Sequence, residues 1–139
     1  MVADSVAELN PQEAWRVLQE APQAALVDIR STMEYLFVGH PSGALHVPWI
    51  DEPSWDVDPD FVAHLIQELG GDAAAAQQRQ VILICRSGNR SEHAGRLLQE
   101  HGFRQVAHVA DGFEGELDAE HHRGTLNGWR FEGLPWEQC

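Results

Sequence analysis

The chain has 139 residues, with nine arginines, no lysine and 22 acidic residues, so its formal net charge is −13. This length fits a single domain, residues 1–139 with a core of about 10–137, which buries roughly two-thirds of the unfolded chain's surface. The attraction that drives binding to nucleic acid and anionic membranes is reversed in sign for such a chain. We therefore expect neither nucleic acid nor a membrane as a partner.

The cysteine content and the N-terminal residues predict the compartment. Cys85 and Cys139 are the only cysteines, which make no disulfide framework and are too few for a structural zinc site. We expect no metal and no cofactor. The chain has no apolar run of about 18 residues, and its first residues lack the basic and apolar stretches of a signal peptide. The expectation is a cytoplasmic protein with reduced thiols.

The first half of the chain predicts a helix followed by two strands. Asn10 can cap a helix that has Pro11 in its first turn and Glu13 three residues after the cap. Residues 24–29 form a short apolar run with a polar end, which is typical of a buried strand. A second strand is predicted over 44–47. The acidic stretch that follows is interpreted as a surface loop.

The second half predicts two more helices and two more strands. Helices are expected over 58–69 and 90–101, and strands over 81–84 and 106–109. The acidic residues of 111–120 are interpreted as a solvated helix face. Apolar strands that alternate with helices predict an α/β fold, with a mostly parallel central sheet and helices on both faces. Ligand sites in such folds lie beyond the carboxyl ends of the strands.

The most informative segment lies at one of those strand ends. Residues 85–91 read Cys-Arg-Ser-Gly-Asn-Arg-Ser, between the apolar run 81–84 and a predicted helix. Glycine and short polar residues let the backbone curl with its N–H groups inward, and the positive end of the helix adds to that field. Such a loop holds an anion, and the first anion it favours is the thiolate of Cys85. A lone cysteine is more often a buried hydrophobe, but Arg86 and Arg90 favour the functional interpretation.

These residues, with others along the chain, resemble the rhodanese family. The resemblance rests on five elements in order: Asp-x-Arg within 27–30, Gly-His-x-x-Gly-Ala within 39–44, the loop 85–91, the Gly-Phe pairs at 102–103 and 112–113, and Gly-Leu-Pro-Trp at 133–136. It implies a rhodanese-like fold and sulfur transfer. Cys85 would take the outer sulfur of thiosulfate or a persulfide donor, hold it as a persulfide, and pass it to a thiophilic acceptor.

The resemblance also implies roles for individual residues. The loop N–H groups and side chains would bind the donor and stabilise the sulfur, and the residues concerned are Arg86, Ser87, Gly88, Asn89, Arg90 and Ser91. Asp28 and Arg30 would brace the sheet edge near the loop without taking part in the chemistry. The chain has Asp111-Gly112 where the family often has a glycine pair. Its loop also differs from the mercaptopyruvate type, so thiosulfate or a persulfide is the favoured donor.

Two other functions stay open. Phosphatases and arsenate reductases of the cysteine-loop type have five residues between their cysteine and an arginine, whereas Ser91 stands at that offset here and Arg90 comes one position early. Rhodanese folds also occur as binding modules, which usually lack the cysteine. An active domain that carries sulfur for one protein acceptor is a related alternative, and the sequence does not separate it from a small-molecule enzyme.

Overall fold

A computed structural model describes residues 6–138 of the chain. A short π-helical turn spans Glu34–Val38. The helices are α1 Pro11–Glu20, α2 Phe61–Glu68, α3 Ala73–Gln78 and α4 Asn89–Glu100. The strands are β1 Ala7–Leu9, β2 Ala25–Asp28, β3 His40–Pro41, β4 Leu45–His46, β5 Gln80–Ile84, β6 Gln105–Val109 and β7 Trp136–Glu137.

Five strands form the central sheet in the order β1-β6-β5-β2-β4, and every neighbouring pair is parallel. The register places Val27 of β2 opposite Leu83 of β5 on one side and Leu45 of β4 on the other. Strand β5 therefore lies in the middle of the sheet, and its carboxyl end is flanked by those of β2 and β6. The predicted α/β class with a parallel sheet is confirmed.

Alternate residues of β5 pack into two separate core layers. Val81 and Leu83 join a layer that includes buried residues of α2, α3 and α4, whereas Ile82 and Ile84 face a layer that includes Ala14 of α1. A strand with apolar neighbours on both faces reads as a continuous apolar run, which explains the sequence pattern. Helices therefore cover both faces, as predicted.

The start of α1 is also as predicted. The Asn10 side chain accepts from the Glu13 amide at 2.8 Å, and the Glu13 carboxylate accepts from the Asn10 amide at 2.9 Å. This reciprocal pair satisfies two backbone donors that a helix start leaves open. Three predicted features of the chain's second half are also present, since strands β5 and β6 and helix α4 lie within one residue of their expected bounds.

The prediction of a helix at 111–120 is wrong. These residues form turns and irregular chain, and Gly112 and Gly115 within them have φ of 68° and 80°. Their backbone bonds to the loop after β5 rather than along a helix, as described below. Strands β1, β3 and β7 and helix α3 were not anticipated. Among the residues described, no helix has the length and apolar character that crossing a membrane requires.

Candidate active site

Strand β5 delivers Cys85 to the carboxyl edge of the sheet, and the chain then turns into α4. The turn depends on Gly88, which caps α4 with φ of 108°. A Cβ atom at this position would lie 2.0 Å from the Ala110 carbonyl oxygen, so only glycine fits both the backbone angle and the space. The tight loop between the thiol and the helix is thus set by one residue and by the segment that follows β6.

The Cys85 sulfur lies inside this loop and is nearly buried, with 1% of the residue exposed. The Gly88 amide donates to Sγ at 3.1 Å and the Ser91 amide at 3.4 Å. The Ser91 hydroxyl lies 3.4 Å from Sγ. Two backbone donors and one hydroxyl therefore surround the sulfur, an arrangement that suits a negatively charged atom.

The remaining loop residues do not bond to the sulfur. Of the six amides expected to surround it, only those of Gly88 and Ser91 make that hydrogen bond. Ser87 is half-buried, and Asn89 is exposed. Two of the loop amides therefore donate to the sulfur in the structure, and the roles predicted for these two residues in binding the donor stay predictions. The binding roles of the others stay predictions.

The segment after β6 holds the base of the loop. The Phe113 amide donates to the Cys85 carbonyl at 2.8 Å, and the amides of Glu114 and Gly115 donate to the Arg86 carbonyl at 3.0 and 3.1 Å. At Gly112 a Cβ atom would lie 2.5 Å from the carbonyls of both loop residues. This close approach requires glycine at position 112. Position 111, where the family often has a second glycine, is occupied by Asp111.

The two arginines of the loop differ in their partners. Arg90 forms a two-pronged ion pair with Glu34, with both Nη–Oε distances at 3.1 Å. Burial raises the pKa of Glu34, but the hydrogen bonds and charge of Arg90, with smaller contributions from Ser31 and Arg30, outweigh it and lower the pKa below its ordinary value. The positive charge of the Arg90 guanidinium is therefore offset by the Glu34 carboxylate. The two partners are 56 residues apart, which is why the sequence did not reveal the pair.

Arg86 is exposed and makes no ion pair with any residue from 6 to 138. It borders an open cleft of about 360 Å³. The cleft also has an apolar rim, because Met33 and Trp55 beside it are 56% and 54% exposed. The lining residues are Ser31, Met33, Glu34, Trp55, Arg86 and Arg90. An anion that enters this cleft meets one guanidinium that has no carboxylate partner.

Asp28 and Arg30 form a fully buried pair beside the loop. Arg30 Nε donates to Asp28 Oδ1 at 3.0 Å and Nη2 to Oδ2 at 2.8 Å, and Nη2 also donates to the Gly39 carbonyl. The guanidinium carbon lies 4.5 Å from the centre of the Phe113 ring. Asp28 is the last residue of β2 and therefore lies at the carboxyl edge of the sheet, near the loop. It links the carboxyl end of β2 to the segment that holds the loop.

His108 is the site residue that sequence reasoning missed. Its ring lies on β6, is almost fully buried, and places Nδ1 2.8 Å from the Ser91 hydroxyl oxygen. Burial lowers the pKa of this histidine, and the charges of Glu8 and Glu92 offset that only in part. The ring is therefore neutral at neutral pH. The signal in the sequence was a histidine within the otherwise apolar run 106–109.

The structure thus defines an α/β domain with a cysteine loop at the carboxyl edge of a parallel sheet. Comparison with known proteins places it more narrowly. The family model of the rhodanese-like domain matches residues 10–118. The chain belongs to the rhodanese-like family.

Two relatives show the range of similarity in sequence. The thiosulfate sulfurtransferase GlpE of Haemophilus influenzae is 29% identical over 116 residues, which cover 84% of this chain and 92% of that protein. A protein of Rickettsia rickettsii described only as uncharacterized is 27% identical over 139 residues, covering 96% and 98% of the two chains. The family is therefore of the sulfurtransferase type.

Solved structures agree with the fold. The crystal structure of Rv0390 from M. tuberculosis has a TM-score of 0.84 and 37% identity, covering 98% of this chain and all of that one. The polysulfide-sulfur transferase homodimer of Wolinella succinogenes has a TM-score of 0.64 and 24% identity, covering 96% and 80%. The second likeness supports the fold alone.

Proposed function

We propose that the protein is a sulfurtransferase that moves a sulfane sulfur from thiosulfate or a persulfide donor to a thiophilic acceptor through a persulfide on Cys85. The observation that carries the proposal is the contact of Sγ with the Gly88 and Ser91 amides. Donors directed at one sulfur atom stabilise the thiolate before the reaction and the anionic persulfide after it. The relationship to thiosulfate sulfurtransferases supports the same chemistry.

The reaction needs no reductant or cofactor. The Cys85 thiolate attacks the outer sulfur of thiosulfate, the bond between the two sulfurs of thiosulfate breaks, and sulfite leaves with the electron pair. The enzyme then holds a persulfide. An acceptor such as cyanide or a thiolate attacks the terminal sulfur, and Cys85 leaves as thiolate. The two half-reactions return the enzyme to its starting state.

The cleft beside Arg86 is the proposed entrance for donor and acceptor. Its free guanidinium attracts an anionic donor, while the exposed side chains of Met33 and Trp55 offer an apolar rim. Such a rim also fits an acceptor larger than cyanide, including a thiol carried by a protein. The proposed acceptor is therefore either a small molecule or a protein thiol. We expect the enzyme to act in the cytoplasm.

The phosphatase alternative is disfavoured by the loop. Cysteine-loop phosphatases need an arginine free to hold a phosphate, whereas Arg90 is bound to Glu34 through both nitrogens. Ser91 stands at the position of that arginine and its hydroxyl faces the sulfur. We expect little or no hydrolysis of an aryl phosphate by the unmodified protein.

The direct test is thiocyanate formation from thiosulfate and cyanide. We expect Cys85→Ser to abolish it with an unchanged unfolding temperature, because a hydroxyl is far less nucleophilic at neutral pH and holds no persulfide. The matched control is Cys139→Ser, which changes the other cysteine, at a position outside the described residues, and we expect it to retain activity. Substantial turnover by folded Cys85→Ser protein would refute the proposal.

A further inference from the structure

Three groups form a continuous hydrogen-bonded network that leads from the sulfur into the protein interior. Cys85 Sγ lies 3.4 Å from Ser91 Oγ, which lies 2.8 Å from His108 Nδ1. The same hydroxyl is 3.2 Å from the Gly88 carbonyl oxygen. Ser91 is fully buried and His108 nearly so. Nothing in the proposed reaction requires the histidine, so its place in this network needs its own explanation.

The network has too few protons for every contact, which limits the arrangements it can adopt. The Ser91 hydroxyl has one proton and three possible acceptors, namely Sγ, Nδ1 and the Gly88 carbonyl. If Nδ1 carried no proton, it would take that of Ser91 at the shortest distance, and neither of the other two acceptors would receive it. If Nδ1 carries the proton, it donates to Oγ, and the hydroxyl stays free to donate.

Counting hydrogen bonds selects the second arrangement. His108 Nε2 is buried without a partner among residues 6–138, so one ring nitrogen is unsatisfied in either tautomer. With the proton on Nδ1, the network makes the bond to Oγ and a further bond from the hydroxyl. With the proton on Nε2, the hydroxyl is consumed by the ring and a buried N–H is left unpaired. Unpaired buried donors are rare in proteins because they cost free energy.

We propose that His108 is a positioning residue, which by donating from Nδ1 to the Ser91 oxygen directs the Ser91 proton to the Cys85 sulfur when that sulfur is negatively charged. In the thiol state the hydroxyl donates to the Gly88 carbonyl. When the thiol ionises, its proton leaves to solvent and the hydroxyl turns to Sγ. The part concerning the persulfide rests on the proposed function, whereas the part concerning the thiolate does not.

The charged groups near His108 and Cys85 do not account for the effect proposed for His108, which is left to hydrogen bonding. Glu8 of β1 lies opposite His108 in the sheet register, and Glu92 follows Ser91 on α4, yet burial keeps the ring neutral. Near the sulfur, the charge of Arg90 is offset by Glu34. The charged groups that act on the His108 ring are Glu8 and Glu92, and those that act on Arg90 beside the sulfur are Glu34 and Asp28.

The rate of Cys85 alkylation by iodoacetamide as a function of pH tests the role without any sulfur donor. The experiment uses the Cys139→Ser protein, so that only one thiol reacts. At pH well below the midpoint of the profile, we expect Ser91→Ala and His108→Leu each to lower the rate about three- to tenfold, the scale of one lost hydrogen bond. At pH well above the midpoint the rates should converge with that of the parent protein. A reduction that is equal at all pH values would mean altered access and would overturn the proposal.

A double-mutant cycle separates positioning from packing. Because His108 acts through the Ser91 hydroxyl, His108→Leu should have no further effect in the Ser91→Ala protein. His108→Asn keeps a donor near the position of Nδ1 and should recover most of the rate. An undiminished effect of His108→Leu in the double mutant would show that the histidine acts by packing alone, against the proposal.

The tautomer itself is measurable in the unmodified protein, which covers the case of variants that fail to fold. Nitrogen NMR of the histidine ring, assigned by through-bond correlation to the backbone, should show the proton of His108 on Nδ1. A proton on Nε2 would overturn the proposal. Neither measurement involves sulfur transfer, so failure here leaves the proposed function intact, and absence of a persulfide leaves the thiolate result intact.

Discussion

The two sides of the Cys85 loop differ in how they treat charge. On the buried side, the Gly88 and Ser91 amides donate to the sulfur, and the buried His108 ring contacts the Ser91 hydroxyl behind it. On the open side, Arg86 faces a cleft that is accessible to solvent. Under the proposed function, this difference divides the work: the neutral donors would stabilise the Cys85 nucleophile and the exposed charge of Arg86 would select the donor molecule.

Arg90 lies between these two sides and belongs to neither. Its ion pair with Glu34 connects α4 to the π-helical turn and cancels its charge locally. Hydrogen bonds from Ser31 to the Glu34 carboxylate hold the pair in place. A loop with two arginines in its sequence therefore presents only one unpaired guanidinium to the cleft.

The largest expected effect comes from breaking the buried side at Gly88. Gly88→Ala should abolish sulfur transfer and destabilise the protein more than Gly43→Ala, because its Cβ would lie 2.0 Å from a carbonyl oxygen. Gly43 is the matched control, since it also has positive φ but nothing within 4 Å of an added Cβ. We expect Gly43→Ala to lower the free energy of unfolding by about 1–2 kcal/mol from backbone strain alone. Urea unfolding measures the stability of both variants, and equal losses of stability would contradict the close contact assigned to Gly88.

A smaller effect is expected from the open side. Arg86→Ala should lower kcat/KM for thiosulfate by about 1–2 kcal/mol, the scale of a charge-assisted hydrogen bond, and should affect an uncharged sulfane donor much less. Arg104→Ala is the control, because it removes the same charge from an exposed position. In the sequence Arg104 follows α4, whereas the loop precedes it. At physiological ionic strength a distant charge is screened within about 8 Å. An unchanged ratio of the two donors in Arg86→Ala would remove the selective role of this arginine.

The smallest effect is on stability as a function of pH. Burial lowers the pKa of His108 below its ordinary value of 6.5, so the unfolded chain binds this proton more readily than the folded one. Stability therefore rises with pH in that range and is lost as pH falls from 6.5 towards the lowered pKa of the folded state. Urea unfolding over this window should show a steeper loss for the parent protein than for His108→Asn. Equal slopes would contradict a buried neutral ring.

The sequence predicted what depends on local pattern. The loop from Cys85 to Ser91, the capping box of α1 and the central strand β5 each occupy a continuous segment with its own signal. The parallel sheet followed from the alternation of such segments. Cys85 is predicted to be the nucleophile because a thiol, a glycine turn and a helix start lie within a few residues of one another.

What the sequence did not predict depends on contacts between distant segments. The Arg90–Glu34 pair and the His108–Ser91 hydrogen bond join residues that are 56 and 17 positions apart. Strands β3 and β7 have two residues each and exist only because they pair with one another. The acidic segment 111–120 was misjudged because Gly112 serves the close approach to Cys85 and Arg86, and Gly115 a close approach to Asn127, which composition does not reveal.

The central claim is that Cys85 carries the transferred sulfur, and the mass of the intact protein tests it most directly. After mixing with thiosulfate and removal of excess donor, the protein should gain the mass of one sulfur atom, located on the peptide that contains Cys85. Cyanide should remove that mass and yield an equal amount of thiocyanate. No gain in mass, or a gain that persists in the Cys85→Ser protein, would contradict the account.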